Sequence, residues 1–327
     1  MRLFENAKYP FMEWRTRAYL VTAVLLAIGI GAMIYNVASI GSWLNYGVDF
    51  TGGTIVQVDF RRPTTVEEIR GTAARAGHDD WEIARFEGRD EFMIRMPTFG
   101  QEAGSDAAQR VTRALSTRYS PNDFRVVRTE AVGPKVGDEL QSRALLAILV
   151  SFAATLIYLW YRFEWRFGLA AIIATAHDLL ITLGFLAVMR TEISLSTVAA
   201  LLTIVGYSLN DTIVVFDRIR ENLNKPRRGG VTYMQLLDRS INETLSRTVL
   251  TGGSTLATLL ALYFFGGAVI QDFALVLILG IFIGTFSSIF VASPALYEIE
   301  KRSPKYDHKG GSPRTSTSTP SHAGSTA

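Results

Sequence analysis

The chain has 327 residues, of which 48% are hydrophobic and 19% charged, with a formal net charge of +3. That balance is too apolar for an ordinary water-soluble protein and too polar for a bare helical bundle, so membrane spans and a sizeable water-exposed part are expected together. There is no cysteine, which excludes a disulfide framework, a thiolate zinc site and a thiol nucleophile.

Residues 1–17 read as an interfacial arm carrying Arg2, Lys8, Arg15 and Arg17. The first apolar run, Ala18–Ile40, exceeds the roughly 7–15 residues of a secretory leader's core and is read as a retained span. Residues 41–141 mix acids and bases and read as a folded α+β domain. "GVDFTGG" (Gly47–Gly53) lacks the spacing and terminal Lys-Ser/Thr of a phosphate cradle; Gly47, Asp49, Gly52 and Gly53 instead suit a tight turn into a strand. "TIVQVDF" (Thr54–Phe60) alternates like a half-buried strand, and Thr64–Ala76 reads as a helix opened by a Thr64–Glu67 capping box. "WEIARFEG" and "EFMIRMP" form a hairpin across Gly88–Asp90, Asp106–Tyr119 is an amphipathic helix, and Phe124–Gly133 alternates again. This β-α-β-β-α-β order predicts a ferredoxin-like sheet with helices on one face. Gly133 and Pro134 break the last strand before the next span.

Residues 142–302 hold five further spans, at Ala144–Tyr161, Phe167–Met189, Ile193–Phe216, Thr248–Ile270 and Phe273–Tyr297. Each approaches the roughly 20 residues needed to cross a hydrocarbon core. About 220–246 lies an amphipathic segment, with Val231, Met234, Leu237 and Ile241 at helical spacing, expected to lie along the membrane surface. From 303 to 327 Ser, Thr, Pro and Gly dominate, and a disordered tail is expected. Lys and Arg concentrate on the arm, on Arg162 and Arg166, on the connection from Arg218 to Arg239, and on Lys301–Lys309. Under alternation these all fall on one side, which places both termini in the cytoplasm and the α+β domain outside. The basic charge is therefore a topology signal, and nucleic acid is not expected as a partner.

Charged groups within the spans are the strongest functional lead, because lipid does not solvate them. Asp211 sits in the fourth span with only Asn210 as polar company. Arg247 stands where the fifth span begins, and antiparallel packing allows an Asp211–Arg247 ion pair. Such a pair is either a static packing contact or a switch in which a proton neutralises Asp211 and releases Arg247. His177 and Asp178 lie near the middle of the third span. Being adjacent, they are not expected to share a helix face; Asp178 either extends a proton path or bonds within the bundle, and His177 packs. Asp217 reads as a solvated boundary residue. Gly280 and Gly284 form a GxxxG helix-packing pattern.

Five stretches together resemble the SecF family, the smaller membrane component of bacterial SecD–SecF complexes in the resistance-nodulation-division superfamily. They are "GVDFTGG", "VGPKVG" (Val132–Gly137), "WYRFEWRFGLAAIIATAHD", "GYSLNDTIVVFDRIREN" (Gly206–Asn222) and "SINETLSRTVLTGGSTL". The resemblance implies a polytopic α-helical protein of the bacterial inner membrane, with six spans and the ferredoxin-like domain between the first two. It further implies no enzymatic activity and no metal or cofactor, with protons as the coupling ion. It implies a SecD-like partner, the SecYEG channel with YajC- or YidC-type accessory proteins, and an unfolded preprotein. Asp211 is then the proton carrier, Arg247 its charge partner, and Asp178 and Asn210 members of a proton path. The rival readings are half of a proton-driven small-molecule or lipid exporter, a passive scaffold for SecD, and an intramembrane aspartyl protease using Asp178 and Asp211.

Overall fold

The computed structural model describes residue 4 and residues 7–85, 90–96, 103–225, 231–266 and 268–303. In chain order the elements are α1 (Arg15–Ile40), β1 (Asn45–Tyr46), α2 (Val48–Thr51), β2 (Gly53–Phe60), α3 (Val66–Arg75), β3 (Glu82–Arg85), β4 (Glu91–Met96), α4 (Ala103–Leu115), β5 (Phe124–Val132), α5 (Pro134–Arg162), α6 (Trp165–Met189), β6 (Glu192–Ile193), α7 (Leu195–Asn224), α8 (Tyr233–Phe265), α9 (Ala268–Ser287), a π-helical turn (Ser288–Ala292) and α10 (Ser293–Arg302). The chain divides into two compact units.

One unit comprises Gly31–Ser151 and Leu186–Ala199. Its main sheet runs β3-β4-β2-β5 with every neighbouring pair antiparallel, the strand order of a ferredoxin-like domain. As an inner strand between β4 and β5, β2 is buried at every residue but Asp59, and not on alternate residues as its pattern suggested. Its Gln57 is satisfied by Glu91 at 2.8 Å. Val58, Phe60, Ile69, Phe92 and Leu115 form the core between sheet and helices. The capping box of α3 sits one residue later than expected, at Thr65 and Glu68. Thr64 is buried and bonds Arg62 O, so Thr65 is left with the extended backbone an N-cap needs. The hairpin turn between β3 and β4, expected at Gly88–Asp90, lies largely outside the described residues, as does the tail beyond Ser303.

A smaller ladder lies in the same unit. β1 pairs in parallel with β6, aligning Asn45 with Glu192 and Tyr46 with Ile193. The connection between α6 and α7 is thereby tied to the segment after α1, and Arg95 of β4 adds an ion pair to Glu192 at 2.9 Å.

The other unit comprises Met1–Ile30, Phe152–Phe185 and the chain from Ala200 onward. Among the described residues, helices α1, α5, α6, α7 and α8, with α9 to α10 taken as one, are six that are long and apolar enough to cross a membrane. Small residues bring them close, because in lipid packing takes over from the hydrophobic effect as the force between helices. A Cβ built on Gly29 of α1 would lie 2.8 Å from Gly184 Cα of α6, and the reverse holds equally. The GxxxG pair of α9 packs within the chain, Gly280 against Ile204 and Gly284 against Ser208 of α7.

Two expectations about helix ends are corrected. α5 begins at Pro134, ten positions before the apolar run, because proline at a first helical position gives up only an N–H that would be unbonded anyway. The amphipathic segment expected about 220–246 is not a separate helix: it takes in the end of α7 and the first part of α8, a single helix of 33 residues. A Thr232–Gln235 capping box starts it, and no proline interrupts it before Phe265. The arm before α1 docks on this part: Met12 N donates to Asp238 at 2.8 Å, and Asn242 bonds Tyr9 in both directions at 2.9 Å.

Candidate functional site

Two buried carboxylates occupy adjacent helices. Asp211 of α7 is 3% exposed, and Asp178 of α6 is fully buried. Both residues sit mid-helix in apolar runs, where an isolated charge costs about 2.5–3.5 kcal/mol on insertion scales. Each therefore needs polar company, and α9 supplies it to both.

Asp211 Oδ2 accepts a long hydrogen bond from Thr285 of α9 at 3.4 Å. One turn on, Thr212 and Ser288 hydroxyls meet at 3.0 Å. Gly252 of α8 faces the same place: a Cβ there would lie 3.2 Å from Thr285 Oγ1. The expected Asp211–Arg247 ion pair does not form. Among the described residues no cation lies within 4.0 Å of Asp211, and Arg247, exposed on α8, acts on it only through space. Among the described residues Asp211 thus sits under one hydroxyl, with the Arg247 guanidinium group in electrostatic range.

Asp178 is better satisfied. Its Oδ2 accepts from Ser208 of α7 at 2.5 Å and from Ser287 of α9 at 2.7 Å, and its Oδ1 lies 3.0 Å from His177 Nδ1. The adjacent His177 and Asp178 do meet, contrary to the expectation from helix spacing. Their backbones point about 100° apart, but the imidazole turns back across that gap. Asp178 and Asp211 do not bond each other, so they share no proton as the two acids of an aspartyl protease do.

Asn210 is exposed on α7, as are Thr203 and Gly206. It is thus not gathered with Asp178. Asp217 is 59% exposed at its side chain and pairs with Arg162 at 3.5 Å.

The glycine-rich stretch is organised by contact with distant backbone. Gly47 N donates to Ile193 O at 2.9 Å, and Val48–Thr51 forms the single turn α2. Gly52 and Gly53 both have positive φ, 71° and 130°, which side-chain-bearing residues rarely adopt. A Cβ on Gly137 of α5 would meet Phe50 O at 2.8 Å, so the two glycine motifs fit against each other. Gly133 and Pro134 mark the change from β5 to α5, and a Cβ on Gly133 would meet nothing. Asp49 Oδ2 accepts from Leu195 N at 2.8 Å, capping the first turn of α7, the helix that carries Asp211.

The residues missed from sequence are hydroxyls: Ser208, Thr285, Ser287 and Ser288. The signal available was the polar run "GTFSS" (Gly284–Ser288) inside the otherwise apolar sixth span.

Comparison with known proteins follows this geometry. The family model described as "Protein export membrane protein SecD/SecF, C-terminal" matches residues 111–302, and that described as "SecD/SecF GG Motif" matches residues 37–64. The protein translocase subunit SecF of Gemmatimonas aurantiaca is 45% identical over 312 residues, 94% of this chain and 92% of that one. Its counterpart in Vibrio alginolyticus is 44% identical over 283 residues, 86% of this chain and 87% of that one. Among solved structures, SecDF from Thermus thermophilus, described as a translocon-associated membrane protein, aligns with a TM-score of 0.80 at 38% identity. That alignment covers 92% of this chain but 40% of the Thermus chain.

Proposed function

The chain belongs to the SecD/SecF family of protein-export membrane proteins, and from that premise we propose that it is the proton-driven SecF subunit of a bacterial protein-export machine. It is a multi-pass translocase subunit and not an enzyme. In this reading Asp211 carries protons across the inner membrane and Arg247 responds to its charge. The observation that carries the reading is Asp211 itself: a buried mid-span carboxylate held by one long hydroxyl contact, with a cation near it but unbound. A carboxylate meant only to pack would be expected to have firmer partners than this. When Asp211 is ionised, Arg247 is drawn toward it; when a proton arrives, that attraction ends. One charge crossing the membrane field releases about 2.3 kcal/mol per 100 mV, enough to bias such a change.

The chain matches 40% of the length of a SecDF protein, so a SecD-like chain is the natural complement. The exposed Gly206 and Asn210 of α7 suit contact with such a chain, since a small residue and an interhelical hydrogen bond both favour helix packing in lipid. The description of the Thermus protein as translocon-associated supports SecYEG as the channel served, with an unfolded preprotein as cargo. Basic residues on Arg162–Arg166 and on Arg218–Lys225 favour cytoplasmic termini and an outer ferredoxin-like domain.

The test uses inverted vesicles containing the channel, the SecD-like partner and either wild type or Asp211→Asn. Wild type is expected to give export stimulated by an imposed proton gradient, and Asp211→Asn to assemble normally without that stimulation. Equal stimulation in both would overturn the carrier role and leave a passive scaffold for the SecD-like chain.

A further inference from the structure

The carboxyl of Asp178 is well bonded, but the imidazole beside it is not. His177 is 8% exposed, its Nδ1 is engaged with Asp178, and its Nε2 is buried with no hydrogen-bond partner. A buried ring nitrogen without a partner is uncommon, because leaving a buried polar group unpaired costs stability. The titratable surroundings are sparse. From α6 only His177 touches the carboxyl. From α7 the nearest acid in sequence to its partner Ser208 is Asp211, bonded instead to Thr285. α9 contributes the hydroxyl of Ser287 and carries Asp272 only near its far end. α1 meets α6 at Gly29 and Gly184 and has no titratable side chain between Tyr19 and Tyr35; α5 meets α6 at Leu159 and has only Tyr158 between Leu145 and Trp160. Among the described residues no Lys or Arg comes within ion-pair distance of Asp178. With neutral imidazole and ionised carboxylate, the pair is therefore a buried net negative charge with no cation to balance it.

We propose that His177 and Asp178 form a second proton-binding site, separate from Asp211, whose occupancy is read by α7 and α9. Binding adds one proton to the pair as a new N–H or O–H bond and takes its net charge from minus one to zero. The ionised carboxylate is an acceptor only and holds the Ser208 and Ser287 hydroxyls as donors on one oxygen. A proton on Asp178 or His177 weakens the pull on both hydroxyls, and with it the tie between α6, α7 and α9. The next residue after Ser287 begins the π-helical turn Ser288–Ala292. Such turns break the regular register of a helix and concentrate at functional sites. α9 is thus gripped at Ser287 beside the place where its register can change.

The site does not depend on Asp211 being a proton carrier, and its test removes that residue. The full-length Asp211→Asn chain, reconstituted in lipid, is followed by infrared difference spectroscopy through a pH step. The expected spectrum contains a buried-carboxyl band that is absent from Asp211→Asn/Asp178→Asn and displaced in Asp211→Asn/His177→Gln. Should the Asp178→Asn chain fail to fold, Ser287→Ala in the same background serves instead, and it too is expected to displace the band. A spectrum unchanged by His177→Gln and by Ser287→Ala, or a band that survives Asp178→Asn, overturns the proposal.

Discussion

Replacing Asp49 by alanine removes the acceptor that closes the first turn of α7. In the folded chain Asp49 Oδ2 sits 2.8 Å from Leu195 N, one of the amides that an α-helix cannot satisfy itself. The Ser194 hydroxyl covers a different amide, that of Thr197, at 3.4 Å. Losing a side-chain cap costs about 1 kcal/mol, with a further 0.3–1 kcal/mol for a negative charge at the helix N-terminus. Because the contact is exposed to solvent, the charge part is discounted, and the whole comes to about 1–2 kcal/mol. At 1.4 kcal/mol per factor of ten, opening at Leu195 should become roughly 5–30 times more frequent. Residue-resolved hydrogen–deuterium exchange on the full chain in lipid measures this directly, with the Thr197 amide as an internal reference. Asp49→Asn keeps an acceptor oxygen in place and loses only the charge, so its effect should be about 2–5-fold. A Leu195 amide that exchanges at the wild-type rate in Asp49→Ala would refute the cap.

Gly184→Ala sets a methyl 2.8 Å from Gly29 Cα, where ordinary contact needs about 3.5–4.0 Å. Overpacking of this kind costs about 1–3 kcal/mol, visible as a lower melting temperature in detergent, whereas Gly31→Ala, with nothing within 4 Å of its Cβ, should not destabilise. Gly252→Ala crowds the Thr285 hydroxyl that bonds Asp211, and should reduce gradient-stimulated export in inverted vesicles without altering assembly. Phe92→Ala empties the centre of the ferredoxin-like core beside Phe60 and should cost about 3–5 kcal/mol, read as early proteolysis within residues 53–132. Burial raises the Tyr119 hydroxyl above its usual value, so the fold favours the neutral phenol. The stability this gives is complete below the unfolded-state value of about 10 and is lost as pH rises through the folded value. Tyr119→Phe should flatten the alkaline limb of a stability-versus-pH curve.

Much of this architecture was legible because its signals are local. Alternation in Thr54–Phe60 and Phe124–Val132, with two amphipathic helices between, dictated the strand sequence that became the β3-β4-β2-β5 sheet. Asp211 announced itself as an acid in an apolar run. Its partners did not. Serine and threonine pass unnoticed in a membrane span because they satisfy themselves on the preceding turn, as Ser288 does on Gly284 O at 2.9 Å. That Ser287 also reaches Asp178 depends on how α6 and α9 pack, 109 residues apart in sequence. Asp49 was legible as part of a turn, whereas its role as a cap for α7 links positions 146 residues apart. The Asp211–Arg247 pair erred in the other direction: opposite charges at similar depth were taken to touch, and the structure puts a hydroxyl there instead.

The length of α8 has a mechanical consequence. Its 33 residues at 1.5 Å each make a rod of roughly 50 Å, against a hydrocarbon core of roughly 30 Å. An upright α8 would therefore carry about 20 Å of stiff helix past the lipid. This overhang carries Asp238 and Asn242, which hold the backbone of Met12 and Tyr9. If the membrane-embedded part tilts by about 10°, a change well within the range that spans adopt, the tip travels roughly 3–4 Å. That is the scale of a whole hydrogen bond, delivered to the arm that leads into α1. A tilt of the fifth span would thus act on the arm as a lever does.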